Sequence, residues 1–327
     1  MDNSNQNKVT KQKKPYLHLF LLVITAVIWG ASFIAQKTGM EHIGPFTYNG
    51  VRMLLGGTIL LPVIYFMRKT GHTSKIEMDE LLEIRGVSCI EDLPWYDRRP
   101  QLYGGIFAGC MLFVASSLQQ HGIQYTTTGK AGFITAMYVI LVPVVGIFLR
   151  HKTRIADWLS VFLAVFGFYF LSITENITIA KGDLYLLLGA FCYSFHILII
   201  NHYSPIVDGV TLASTQFIVT GLLSIAPMFI FETPNLNAIK DAALPILYSG
   251  GLSSGVGFTL QVIGLQKVPP TQASLITSQE STLSVIFGWL ILGEVMSGRE
   301  ILGCLLMLAG ILISQLTPTK DYDKLHS

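Results

Sequence analysis

Residues 17–37 read LHLFLLVITAVIWGASFIAQK, 21 positions whose one formal charge is the terminal Lys37. A helix rising about 1.5 Å per residue needs about 20 mainly apolar residues to cross the ~30 Å hydrocarbon core of a bilayer. This stretch has that length. It lacks the period-two alternation of a barrel strand, and backbone placed in hydrocarbon must satisfy its own hydrogen bonds, so a membrane helix follows. The polar tail 1–16 before it carries Lys8, Lys11, Lys13 and Lys14. A signal peptide begins similarly, but this apolar run is too long and has no small-x-small cleavage site. It reads as an uncleaved first helix.

The same pattern recurs along the chain. Apolar runs at 46–67, 102–121, 130–149, 155–174, 183–201, 210–231, 242–265, 272–292 and 298–316 bring the expected count to ten transmembrane helices. Composition agrees. Of 327 residues 51% are hydrophobic and only 13% charged, against roughly 25% charged in a soluble domain, and the mean hydropathy is +0.54. One soluble core cannot hide so much apolar surface. The expected class is an all-α integral membrane protein.

Net charge is +2, which gives no reason to expect nucleic acid as a partner. Cys89, Cys110, Cys192 and Cys304 are scattered, so they read as apolar filler rather than as a disulfide framework or zinc site. The sequence holds no HExxH, Walker A or GxGxxG pattern, so neither an enzyme nor a cofactor is expected.

Orientation follows from lysine and arginine counts in short loops. With the N-terminus inside, 16 basic residues lie on the cytoplasmic side: four in the tail, six in 68–101, three in 150–154, and Lys267, Lys320 and Lys324. The other side holds five, Lys37, Lys130, Lys181, Lys240 and Arg299, while Arg52 falls inside a span. Both termini are expected in the cytoplasm and the protein in the cell membrane. The one sizeable soluble piece is 68–101, in which 76–85 predicts a short amphipathic helix with Ile76, Leu81 and Ile84 roughly on one face. Such a helix rests on the membrane surface or on its own bundle. A partner-binding role for 68–101 gives an alternative reading, a non-transporting sensor or scaffold.

Sliding the chain by 142 residues aligns Leu118-Gln119 with Leu260-Gln261, Ile134-Thr135 with Ile276-Thr277, and Gly146 with Gly288. A larger offset pairs Arg52 with Gln216 and Pro62 with Pro227, the extra length matching the insertion. Each half then carries five spans, 17–174 and 183–316, followed by a second cytoplasmic tail at 317–327. Five is odd, so the halves enter the bilayer from opposite sides. Inverted repeats of this kind build secondary transporters whose substrate site lies near the midplane between the halves.

Trp29-Gly30-Ala31-Ser32-Phe33 resembles the WGxxF signature of EamA-type proteins in the drug/metabolite transporter superfamily. The run Ala131 to Pro143 resembles that family's fourth helix, and Pro269-Pro270-Thr271 through Gln279-Glu280-Ser281 to Gly293-Glu294, then Arg299-Glu300 and Gly303, its ninth and tenth. Two departures stand out: Ser281 where proline often follows the glutamate, and Arg150-His151-Lys152 where the fourth helix usually ends in a glutamate. The resemblance implies two EamA repeats of five helices and the movement of small metabolites or drugs.

Seven side chains within the spans are candidates for the substrate or coupling site. Glu280 lies near mid-span, where a charge costs roughly 2.5–3.5 kcal/mol on insertion scales. It would bind a substrate amine, carry a coupling proton, or bond a neighbouring helix. Arg52 holds its charge and would meet a substrate carboxylate, pair with Glu280, or snorkel to headgroups. Trp29, Gln119, Tyr138, His196 and Gln261 complete the set. Gln119 and Gln261 are repeat mates, as are Tyr138 and Glu280, and facing one cavity they would suit a small amphipathic solute. Each alone is more often glue between helices. Gly251-Leu252-Ser253-Ser254-Gly255 fits GxSxG, but its setting is a helix rather than a strand–turn–helix elbow, so helix packing is expected. The expected partners are a small-molecule substrate, a coupling proton and the lipid bilayer, with a homodimer left open.

Overall fold

A computed structural model describes residues 15–71, 78–148, 155–172, 180–203, 206–265 and 276–316. Helices account for every regular element among them. In order these are α1 (Pro15–Gly39), α2 (Pro45–Lys69), α3 (Met78–Arg85), α4 (Pro100–Ile123), α5 (Thr128–Ala136), α6 (Tyr138–Phe148), α7 (Ile155–Ser172), α8 (Lys181–Tyr203) and α9 (Gly209–Phe231). Then come α10 (Leu236–Asp241), α11 (Ala243–Ile246), a π-helical stretch (Leu247–Gly257), α12 (Phe258–Leu265), α13 (Glu280–Leu292) and α14 (Gly298–Leu316).

Among the described residues five helices have the length and apolarity to cross a membrane, those at Leu17–Gly39, Pro45–Lys69, Pro100–Ile123, Lys181–Ile200 and Gly209–Phe231. Shorter apolar helices run over Thr128–Val142, Trp158–Leu171 and Glu280–Leu292. The uninterrupted fourth and eighth spans expected from hydropathy are broken. Met137 is a turn between α5 and α6, and the eighth passes through the π-helical stretch. The ninth has its own turn at Ser278–Gln279, and its expected start at 272–275 lies outside the described residues.

Packing pairs α2 with α9, α4 with α8 and α9, α7 with α14, and α1 with α13. One buried cluster joins Phe33, Ile123, Ile134, Ile140, Leu186 and Met307 from six helices. A second joins Met53 and Leu60 of α2 to Leu112 of α4 and Phe217 of α9. The reverse side of these helices is apolar as well: Phe162, Phe229, Trp289 and Leu305 are all more than half exposed. Water would disfavour such a surface, whereas lipid tails match it.

Small residues set how closely the helices approach. A Cβ built on Gly250 would stand 2.6 Å from the Arg52 carbonyl oxygen, and one on Gly56 would stand 2.8 Å from Ser254 Cβ. Gly105 and Gly109 sit likewise against Thr215 and Val219 of α9. The GxSxG stretch therefore serves packing: Gly251 and Gly255 face Ile59 of α2, and the Ser253 carbonyl accepts the Trp29 indole N–H at 3.2 Å. A π-helix widens the turn by one residue, and here Ser254 Oγ donates across five residues to the Ser249 carbonyl at 3.0 Å.

The insertion rests on the bundle. Leu81 and Leu93 are buried with Tyr203, Ile206 and Leu212. Asp97, 1% exposed, lies 2.9 Å from Arg85 Nε and 3.1 Å from His202 Nε2. The helix begins at Met78, and Ile76 lies outside the described residues, as does the Ile84 side chain.

Candidate functional site

The breaks in α5–α6 and before α13 match. Met137 and Gln279 are 142 residues apart, the same offset that aligns the halves. At one break Met137 N–H donates to the Ile134 carbonyl at 3.2 Å, and at the other Gln279 N–H donates to the Ile276 carbonyl at 3.2 Å. Leu141 N–H then donates to Met137 O, and Leu283 N–H to Gln279 O, both at 2.9 Å. Each break tightens one turn to an i to i−3 bond, and a new helix starts on the next residue. Those residues are Tyr138 and Glu280.

Tyr193, midway along α8, joins the candidates. Its hydroxyl donates to Gln119 Oε1 at 2.9 Å, and Gln119 Nε2 donates to Thr135 Oγ1 at 3.2 Å. Its ring centroid is 6.3 Å from Tyr138 and 6.4 Å from His196. Arg52 and Glu280 both lie within electrostatic range of it, and Glu280 of Tyr138 too. His196 Nε2 lies 2.8 Å from Gln216 Oε1.

Arg52 does not snorkel. It is 5% exposed, and its Nε donates to Asn49 Oδ1 at 2.9 Å, whose amide in turn donates to Ser116 Oγ at 3.3 Å. Its guanidinium stands 5.6 Å from the Tyr48 ring centroid. Nor does it pair with Glu280: among the described residues no ion pair joins them. Glu280 is 8% exposed, and among the described residues its carboxylate has no hydrogen-bond partner. A buried charge without a partner is costly. The cluster thus presents a cation and a carboxyl group that are not paired with each other, in company with tyrosine rings.

Trp29 borders this set: its ring is 6.4 Å from Phe258, which stands 5.6 Å from Phe217. Gln261, the repeat mate of Gln119, is half-buried in α12 and among the described residues does not join the Tyr193–Gln119–Thr135 chain of bonds. Tyr193 and Asn49 were not among the sequence candidates. Tyr193 falls three residues before His196 on one helix face, the signal that would have found it.

At the end of the bundle where α1 finishes, carboxylates tie helix starts together. Glu294 receives Thr128 N–H at 2.9 Å, Thr128 Oγ1 at 2.6 Å and Lys37 Nζ at 2.8 Å. Glu232 receives the N–H groups of Phe46 and Thr47 at 2.7 and 2.8 Å, and Lys130 lies 3.0 Å from Glu300. Carboxylates on unpaired N–H groups at a helix start are favourable contacts.

A model of the EamA-like transporter family matches residues 17–173 and again 180–316. The chain belongs to the EamA-like transporter family. It is 27% identical over 90% of its length to a protein of Archaeoglobus fulgidus named "Uncharacterized transporter", covering 84% of that protein. It is 24% identical to the Bacillus subtilis "Uncharacterized transporter YoaV", over 90% of this chain and 96% of that one. Protein PagO of Salmonella typhimurium is 22% identical over 90% of this chain and 91% of its own. A solved crystal structure superposes with a TM-score of 0.60 at 18% identity, covering 94% of this chain and 99% of that one, a likeness of fold. This EamA protein is accordingly a multi-pass membrane transporter rather than an enzyme.

Proposed function

We propose that this EamA protein is a secondary transporter that exports small metabolites, amino acids or drug-like amphipathic solutes among them, by alternating access. Ten membrane-spanning segments in two inverted five-helix repeats, 17–174 and 183–316, form its body, with both termini in the cytoplasm of a cell-membrane protein. The observation that carries this reading is the pair of matched helix breaks at Met137 and Gln279, which start new helices at Tyr138 and Glu280 beside Tyr193. Broken helices facing each other between repeats are the usual setting for a transporter's binding site.

Arg52 and Glu280 suit opposite ends of a zwitterion: a guanidinium binds a carboxylate and a carboxylate binds an ammonium. Tyr138, Tyr193 and Trp29 supply the walls for an apolar body, Gln119 and His196 the neutral polar contacts, and Gln261 marks the equivalent place in the second half. Glu280 also serves as the carrier of a coupling proton. Solute shifts the alternating equilibrium only through its differential affinity for the two states. The test is a counterflow screen of amino acids, amines and nucleosides in proteoliposomes, with and without a pH gradient. A solute exchanged by the wild type and not by Glu280→Gln supports the reading. Absence of exchange for every class, with folded protein in the vesicles, removes it.

A further inference from the structure

A groove of about 300 Å3 runs between α2 and α9 on the surface of the bundle, away from the Tyr193 cluster. The two helices are antiparallel here: Gly50 faces Ser224, Gly57 faces Ile218, and Ser214 Oγ donates to the Gly57 carbonyl at 2.8 Å. Leu61, Ile64, Ile218 and Val219 line the groove, with Ser214 and Thr215, whose hydroxyls are turned back onto the Gly57 and Thr211 carbonyls, so its surface is mainly apolar. Its end is different in character. Tyr65, Thr211 and Arg68 gather there, with Arg68 exposed.

Depth in the bilayer follows from helix length. The 25 residues of α2 span about 37 Å, more than the ~30 Å hydrocarbon core. Arg68, in the last turn, therefore stands at headgroup level, while Leu61 lies about 10 Å deeper at 1.5 Å per residue. Among the described residues no carboxylate comes within ion-pair distance of Arg68. The neighbouring acid, Asp208, is engaged in capping α9 at the Thr211 N–H and Oγ1, both at 2.7 Å. An exposed cation that no described carboxylate pairs thus marks the mouth of an apolar trough on the outer face of the bundle.

The geometry points to a binding site for one anionic phospholipid, its phosphate on Arg68 and an acyl chain lying along the groove. The apolar walls select a lipid over a free phosphate, which would contact only the mouth. A basic residue at an anionic membrane surface gives about five-fold in affinity.

The test titrates purified full-length protein with phosphatidylglycerol or phosphatidylcholine of identical chains and counts bound lipid by native mass spectrometry. Wild type should bind phosphatidylglycerol about five-fold more tightly. Arg68→Gln should reduce it to the phosphatidylcholine level, whereas Lys69→Gln should leave it nearly unchanged. Leu61→Trp, which fills the trough from its exposed side, should weaken both lipids. Inorganic phosphate at millimolar concentration should displace neither. Equal binding of the two lipids overturns the site, as do equal losses in Arg68→Gln and Lys69→Gln. Displacement by phosphate would make it a site for free anions and overturn it equally. Thermal unfolding of each variant verifies that it is folded, and transport plays no part in the readout.

Discussion

Met137 and Gln279 interrupt two helices at positions 142 residues apart, each donating its N–H to a carbonyl three residues earlier at 3.2 Å. Neither position carries proline or glycine. What the interruptions achieve is placement: Tyr138 and Glu280 each become the first residue of a new helix, the Tyr138 ring 6.3 Å from that of Tyr193 and Glu280 within electrostatic range of it.

The Tyr193–Gln119 bond orders this cluster. Tyr193→Phe keeps the ring and removes the 2.9 Å bond, leaving Gln119 with Thr135 alone. A hydrogen bond of this kind contributes about 1 kcal/mol. The expected result is a rise of about five-fold in KM in proteoliposome uptake, with little change in thermal stability. An unchanged KM would show that Tyr193 does not shape the site.

Glu294 joins α5 to Lys37 of α1. Removing its carboxylate in Glu294→Ala strands the Thr128 N–H and hydroxyl and leaves the Lys37 ammonium with the Thr126 carbonyl alone. Loss of a helix cap costs about 1–2 kcal/mol, so a lower Tm in detergent is expected. Glu294→Gln retains an acceptor and should lose less. Equal losses would mean that charge rather than hydrogen bonding holds this contact.

Helices α7 and α14 cross backbone to backbone. A Cβ on Gly167 would stand 2.7 Å from the Gly303 carbonyl oxygen, and the converse distance is also 2.7 Å. Gly167→Val must separate the two helices, at a cost of about 1–3 kcal/mol. Thermal unfolding measures it, and a Tm equal to wild type would contradict the close approach.

The insertion is a clamp on the bundle, so its charge cluster should govern local rather than global stability. Asp97→Asn weakens the contacts with Arg85 and His202. Limited trypsinolysis at Arg85 and Arg98 should accelerate while transport persists. Transport lost together with an unchanged cleavage rate would assign 78–99 a direct functional role.

Much of this architecture was legible in the sequence for a simple reason: lipid demands long apolar runs and tolerates few charges within them. Arg52 and Glu280 therefore stood out, and both are in the cluster. Tyr193 did not, because an aromatic residue in an apolar helix reads as filler until its hydroxyl is seen to reach Gln119. The helix breaks were invisible as well, since Met137 and Gln279 are good helix formers. The repeat offset pairs Gln261 with Gln119, and the π-helical stretch before α12 gives the second half a local geometry not seen among the described residues of the first.

Glu280 carries the central claim, and counterflow in proteoliposomes tests it most directly. For a solute exchanged by the wild type, Glu280→Gln should lower the exchange rate at least ten-fold, the loss of roughly 1.4 kcal/mol of binding or barrier stabilisation, while expression and Tm stay near wild type. Folded Glu280→Gln protein that exchanges the solute at the wild-type rate, with and without a pH gradient, would contradict it.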